Sequence, residues 1–555
     1  MTPVSRIDFA IISQNLLAIP REMGAKIIQS AFSTIVREAR DCSAALLDAQ
    51  GRVIAQVDQN PILLGSMSAT FRSSLDYLKG IEIGEDDFII TNDPYSGGQH
   101  LQDVFIFFPV FHEGVLAGYS ATVAHHLDIG GSGAGISAGA VDVFGEGLRL
   151  PPICMNYRRD WRGGPLERIV RANVRVPDLT IGDFDAQFAA NAIGRTRFLS
   201  LLDKYGRDKV RAVAEGTLDY TETMIRKAIA AIPDGAYRGE AFIDDDGQGG
   251  PPVLIRVKLT VSGDRMEVDF AGTGDQVKSN LNSPYAASVS GVLCALKALL
   301  TDADVPFNQG GERPITIKAP LGSIVNPRPP AAVRARLEVC YRAYGAIMQA
   351  LSTVLPDRVA ASGYDTLTVG SLAKLTAQGY SVYLEVFGGG NGATRHADGC
   401  DAVDSPLSNC TNTPIESADR GYDFFRTKSY GLVPDSCGHG ARRGGLGFRK
   451  QYEIIEDDVV LAYYGDRFKL PPRGLFGGTD AICGSCTITR GDQEIVLSPS
   501  KAHQLRKGDV VTFSFGGGGG YGPPADRPRA LIERDLAAGY ISEATSREVY
   551  KLAQP

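Results

Sequence analysis

The sequence contains no uninterrupted apolar run of 18 or more residues, which excludes a membrane-spanning helix. Its first stretch, Met1 to Leu17, carries Asp8 and lacks an apolar signal core followed by a cleavage site, so a cytoplasmic chain is expected. Positive charge is not in excess: 57 Lys and Arg stand against 64 Asp and Glu, a net charge of −7. No basic cluster interleaved with aromatics offsets that balance, and a nucleic-acid partner is excluded. Cysteine is sparse and odd in number, nine in 555 residues, which suits reduced thiols better than a disulfide scaffold. There is no repeat of fixed period and no low-complexity linker.

What is present is an ordinary folded composition, 43% hydrophobic and 22% charged. Helical periodicity runs from about Asp8 to Ala39, with Ile12, Leu16, Ile19, Met23 and Ile27 near helical spacing. Cys42–Asp48, a turn at Ala49–Gly51 and Arg52–Ala55 read as strand, turn and strand. Two further strands are expected at Val104–Phe108 and Val115–Val123, each flanked by a loop rich in Gly, Asp and His. Helices are expected at Phe184–Lys204, Lys209–Ile229 and Tyr285–Leu300, strands from Ala236 to Phe270, and a polar helix from Asp526 to Leu552. The fold class is therefore α+β, a mixed body divided into an N-terminal region 1–232 with a helical end, a β-rich region 233–525 and a C-terminal helix in 526–555.

Three of the seven histidines, His100, His125 and His126, fall within 27 positions. The first lies in Asn92-Asp-Pro-Tyr-Ser-Gly-Gly-Gln-His-Leu-Gln-Asp103 and the others in Ala124-His-His-Leu-Asp-Ile-Gly-Gly131. Each loop pairs imidazole with carboxylate, a donor mixture suited to Zn²⁺, Mn²⁺ or Fe²⁺ rather than Ca²⁺. If the two neighbouring strands pair, His100 and His125 meet at one end of a sheet, and Asp41, just before a strand, reaches the same place. His126 has an alternative as a residue that orients a ligand, and Asp93 and Asp128 as loop caps. His112 and His503 read as plain surface residues.

Other motifs carry less. Cys483-Gly-Ser-Cys486 has no second cysteine pair or nearby histidine, and reads as a turn. Cys437 with His439 suggests a thiol site only weakly. The pentaglycine Gly516–Gly520 lacks the Lys-Ser/Thr of a phosphate loop and reads as a turn or a backbone-lined wall. A serine-hydrolase nucleophile elbow is not expected, and no residue is assigned to cofactor binding.

The two histidine loops, with Arg40-Asp-Cys-Ser-Ala44, Glu146-Gly-Leu-Arg-Leu-Pro-Pro152, Asp269-Phe-Ala-Gly-Thr-Gly274, Gly388-Gly-Gly-Asn-Gly-Ala393, Arg443-Gly-Gly-Leu-Gly447 and Gly517-Gly-Gly-Gly-Tyr-Gly522, resemble the hydantoinase B/oxoprolinase family almost end to end. The resemblance implies a metal site here, with Asp41, His100, Asp103 and His125 as ligands and His126 and Asp128 as catalytic groups. It implies ATP-dependent hydrolysis of a cyclic amide, with ATP handled by an actin-like, hydantoinase A-type partner in a heterotetramer or larger assembly. The lack of both a phosphate loop and an Asp-x-Gly-Gly-Thr signature agrees with ATP lying on another chain. The alternatives are membership of an acetone- or acetophenone-type carboxylase and a non-catalytic scaffold for the A-type partner. The chain departs from the family after Pro329-Pro-Ala-Ala-Val333, where Arg334-Ala-Arg-Leu-Glu338 replaces a Gly-Asn turn and Glu-Thr-Ser. If that segment lines the substrate pocket, Arg334 and Arg336 select an anionic or phosphorylated ligand.

Overall fold

A computed structural model describes residues 4–57, 59–404, 406–499 and 501–552. The architecture is α+β, as expected. The chain forms two compact units: Met1–Gly133, Ala140–Tyr237 and Val257–Arg336 make the first, and Ala134–Gly139, Arg238–Arg256 and Leu337–Pro555 the second. No helix among the described residues is long and apolar enough to cross a membrane.

The first unit is built on a six-stranded antiparallel sheet. Its strands are β1 (Cys42–Asp48), β2 (Val53–Gln56), β3 (Asp87–Thr91), β4 (Asp103–His112), β5 (Val115–His125) and β6 (Ile153–Asn156), in the order β2-β1-β5-β4-β3-β6. Strands β4 and β5 form a hairpin whose two-residue turn, Glu113 (φ 51°) and Gly114 (φ 73°), has positive φ at both positions. That geometry matches the twist of the flanking strands. The helix Pro177–Tyr205 covers one face of the hairpin with buried amides as well as hydrocarbon. Gln187 donates to the Val104 carbonyl (2.9 Å) and Asn191 to the Thr122 hydroxyl (2.8 Å).

The helices depart from their sequence expectations where local bonds compete. Helix α1 (Arg6–Ser30) buries Ile12, Leu16, Ile19, Met23 and Ile27, then stops, and a separate turn of helix follows at Thr34–Arg37. The break has a cause: the Asp183 carboxylate accepts the amides of Phe32 and Ser33 at 2.8 and 3.1 Å, and Ser33 caps the short helix. The helix expected from Phe184 begins at Pro177, because proline at the first helical position loses no hydrogen bond. The single C-terminal helix is two short ones, Arg529–Ala537 and Glu543–Glu548. Gly539 at φ 70° ends the first and Ser542 caps the second. Helix Tyr285–Leu300 is as expected and crosses helix Pro61–Tyr77 closely, since a Cβ on Gly65 would stand 2.7 Å from the Ser290 Cα.

The second unit holds two antiparallel sheets. One consists of Gly379–Phe387, Thr368–Thr376, Val459–Tyr464 and Ala502–Leu505, the other of Phe425–Leu432, Phe448–Ile454, Val510–Ser514, Ser485–Arg490 and Gln493–Val496. Aromatic residues of both, among them Tyr383, Tyr463, Phe448 and Phe513, form one buried cluster. Gly516–Gly520 threads between other glycine-rich strings. Gly438 donates to the Gly518 carbonyl at 2.7 Å, and a Cβ on Gly518 would lie 1.9 Å from the Asn391 carbonyl oxygen. The pentaglycine is therefore an element of backbone-on-backbone contact, with no phosphate-loop character.

Candidate metal centre

Strand register builds the site. Asp103, the first residue of β4, stands opposite His125, the last of β5, and β1 begins at Cys42 opposite Ala124. The His125 amide donates to the Asp41 carbonyl at 3.0 Å. Directly opposed residues of an antiparallel sheet present their side chains to the same face, so Asp41, His125 and Asp103 share one. His126, one residue further, points to the other face.

His100 comes from the loop before β4. That loop is held by Asn92, which donates to the Leu101 and Leu148 carbonyls at 2.6 and 2.9 Å and accepts the Leu150 amide at 2.7 Å. Asp93 accepts the Tyr95 amide and the Ser96 hydroxyl and pairs with Arg149 at 2.8 Å. Gly97, at φ 92°, turns the chain where a Cβ would meet Ser73 at 2.9 Å. The His100 and His125 ring centroids end 4.9 Å apart.

The donor atoms of His100, Asp103 and His125 lie within 4.8 Å of one another, and all three residues are buried. The Asp41 carboxylate stands 3.6 Å from His125 Nδ1 and accepts from Asn60 Nδ2 at 2.5 Å. His100 Nδ1 is 3.0 Å from Asp103 Oδ2, yet the contact is too poorly aligned for a hydrogen bond. His100 Nδ1, Asp103 Oδ1 and His125 Nε2 are buried without a hydrogen-bond partner. Buried polar atoms are rarely left so, and three converging imidazole and carboxylate donors with Asp41 beside them fit a divalent first-row cation.

The electrostatics of the cluster suit metal binding. Burial, then the nearby Arg336 guanidinium, lower the His100 pKa to about 3, so its imidazole is neutral at physiological pH. Burial alone would raise the Asp103 carboxyl, but Arg336 and His100 hold it well below the usual range. Burial raises the Asp41 carboxyl, with His125 opposing.

His126 and Asp128 are not brought into this cluster. His126 Nε2 donates to Gln187 Oε1 at 2.9 Å, its ring lies 4.1 Å from that of Phe184, and burial lowers its pKa to about 4. The Asp128 carboxylate accepts the amides of Gly130 and Arg175. His126 thus ties the loop to helix Pro177–Tyr205, and Asp128 ties it to the chain just before that helix.

Arg336, read from the sequence as a candidate for binding an anionic ligand, is buried in the same unit and donates to Asp103 Oδ2 at 2.5 Å and Gln99 Oε1 at 2.9 Å. Its charge is committed to Asp103. Gln99 in turn donates to the Ser66 hydroxyl at 2.7 Å. Nothing in the spacing of Asn60 or Gln99 marks them as supports; Arg336 is marked only by its departure from the family pattern.

Glu146 is a further buried carboxylate, accepting the Val333 amide at 2.9 Å and the Arg334 amide at 2.7 Å. Burial outweighs those bonds and raises its pKa from 4.5 to about 7. Between these values the folded chain keeps a proton that the unfolded chain has released, so Glu146 lowers stability as pH rises from about 4.5 to 7 and no further above. Glu146→Gln keeps the accepting oxygen and is expected to shrink the loss of stability between pH 5 and 8 by on the order of 2 kcal/mol, read from urea unfolding at the two pH values.

The remaining candidates have structural places. Burial raises Cys437 to about 12, and His439 Nδ1 lies 3.1 Å from the Tyr550 hydroxyl, so the two form no thiolate–imidazole pair. Cys486 is buried in a strand with its thiol pKa well above the usual value. The sequence does hold one Gly-x-Ser-x-Gly string, Gly135–Gly139, but in irregular chain rather than between a strand and a helix, so it is no nucleophile elbow. His112 bonds to Asp203, 91 residues on, and His503 to the nearby Ser498 carbonyl.

Residues 5–524 match the Hydantoinase B/oxoprolinase family. The chain is 33% identical to the B-type component of a putative D-/L-hydantoinase from a Pseudomonas species, over 97% of this chain and 94% of that one. Its fold superposes on the crystal structure of the ATP-dependent caprolactamase from Pseudomonas jessenii with a TM-score of 0.92 and 27% identity, covering 100% of this chain and 97% of the other. The nucleotide-free structure of acetone carboxylase shares the fold at a TM-score of 0.87 and 18% identity, over 98% and 79% of the two chains. With the match running through both histidine loops and nearly the whole sequence, this chain belongs to the hydantoinase B/oxoprolinase family.

Proposed function

We propose that this chain is the metal-bearing component of an ATP-dependent enzyme that opens cyclic amides of the hydantoin, N-methylhydantoin, oxoproline or lactam class. ATP is consumed by a hydantoinase A-type partner, in a heterotetramer or larger assembly. The observation that carries the reading is the buried convergence of His100, Asp103 and His125, with Asp41 beside them, in a chain of this family. The names of its relatives, a hydantoinase component and a caprolactamase, support the substrate class.

An amide carbon is a poor electrophile, and phosphorylation of its oxygen by the partner makes it a good one. Water then adds at that carbon and the ring C–N bond breaks, leaving an acyl phosphate whose hydrolysis yields the open acid and phosphate. A divalent cation held by Asp41, His100, Asp103 and His125 supplies Lewis-acid chemistry and acidifies water toward a pKa of ~7. The chain's own residues do the rest. Arg336 and Gln99 fix the orientation of Asp103, and Asn60 fixes Asp41. His126 and Asp128 hold the loop that carries His125.

The test is turnover by the purified two-chain complex on a panel of lactams, hydantoins and ketones, with and without bicarbonate, together with elemental analysis. ATP-dependent ring opening without bicarbonate, with about one metal per chain, is the expected result. Bicarbonate-dependent consumption of a ketone assigns the chain to carboxylation instead. Absence of both metal and turnover assigns it a scaffolding role.

A further inference from the structure

The second unit contains a cavity of about 830 Å³, a size typical of small-molecule sites. Its lining includes the apolar residues Phe242, Tyr344, Met348 and Leu470 and the arginines Arg342, Arg467 and Arg473. Four acidic residues also line it, two of them in ion pairs and two accepting backbone amides. Glu240 pairs with Arg256 at 2.7 Å, Asp398 with Arg527 at 2.8 Å, and Asp365 accepts the Gly363 amide at 2.8 Å. The fourth, Asp480, accepts the Gly474 amide at 2.9 Å.

Arg467 is different. It is 7% exposed, and its guanidinium donates only to neutral oxygens: the Ser362 hydroxyl at 2.7 Å and the Leu470 and Pro471 carbonyls at 3.5 and 3.3 Å. Its Nε has no partner, and no carboxylate among the described residues forms an ion pair with it. Asp466, Asp365 and Asp244 act on it from longer range, beyond ion-pair distance. Asp466 lies 3.3 Å from the Arg342 Nε and accepts the Asp244 amide, and Asp244 accepts the amides of Phe468, Lys469 and Leu470. Burial, then the Arg342 charge, lower the Arg467 pKa to about 10, with the more distant Asp466, Asp365 and Asp244 opposing. The backbone of Arg467 sits at φ 67°, a conformation that side chains rarely adopt. An arginine buried without a directly paired anion is costly, and its planar fork is shaped for a carboxylate.

We propose that this cavity binds a small organic carboxylate, its charged end on the guanidinium of Arg467 and its hydrocarbon part against Phe242, Tyr344, Met348 and Leu470. The site is separate from the metal cluster in residues and in chemistry, and the inference stands whether or not the chain opens cyclic amides.

Cys400 supplies a reporter, since it is exposed and lines the same cavity. The purified full chain, stripped of metal with a chelator, is titrated with straight-chain carboxylates from acetate to octanoate and with the matching neutral amides. Binding is read by calorimetry, and iodoacetamide labelling of Cys400 by peptide mass spectrometry. At least one carboxylate is expected to bind saturably and slow Cys400 labelling fivefold or more, with its amide doing neither. Arg467→Met is expected to weaken that binding at least tenfold. Equal responses to acid and amide, no protection by any of the acids, or unchanged affinity in R467M overturns the proposal. Should R467M fail to fold, the contrast between acid and amide at Cys400 decides alone.

Discussion

Replacing His100 or His125 with alanine is expected to reduce bound metal from about one per chain to background and ATP-dependent ring opening by about 10³-fold. The size follows from what is removed. Lewis-acid stabilisation is worth several kcal/mol of barrier, and ~4 kcal/mol corresponds to ~10³ in rate. Each histidine is buried with a nitrogen that has no hydrogen-bond partner, and urea unfolding of each variant checks that the fold survives. Elemental analysis and turnover of each variant, assembled with its partner, check the result. Full metal content in either variant would remove that histidine from the ligand set. His126→Ala separates the two faces of β5: it loses the bond to Gln187 and should cost stability while leaving the metal bound.

Arg336→Leu is expected to destabilise the metal-free chain by ~3–5 kcal/mol, the usual consequence of removing one partner of a buried ion pair. Arg336 and Asp103 are 4% and 1% exposed and 2.5 Å apart, so the carboxylate left behind has no water to turn to. The double variant D103L/R336L should recover part of that loss, since it buries no uncompensated charge. Urea unfolding of chelator-treated protein measures both. If the single variant is no less stable than the double one, Arg336 is not what holds Asp103 ionised.

The end of the first sheet was open to reading from sequence because its chemistry sits where two strong strand signals stop. Val104–Phe108 and Val115–Val123 mark β4 and β5, and the histidine loops lie at their adjoining ends. The alternation of side chains along a strand separates His125 from His126, but a sequence shows that alternation only once the last strand residue is known. Helix ends were less legible. The break in α1 at Ala31 depends on Asp183, 150 residues away, and no local pattern announces a carboxylate from that distance. The long-range supports of the site were hidden for the same reason: Arg336 reaches Asp103 across 233 residues and Asn60 reaches Asp41 across 19. In the second unit, the glycine strings are visible in sequence, but their function as spacers for touching backbones is not, since it depends on which strings become neighbours.

The β4–β5 hairpin has two ends with opposite demands. At one, a shift of a single residue would exchange the histidine turned toward the cluster for the one turned away. At the other, Gly114 has nothing within 4 Å of where a Cβ would stand. Any change in the length of this ribbon is therefore absorbed at Glu113–Gly114, which makes that tip the place to graft a tag or a fluorophore without touching the cation-binding end.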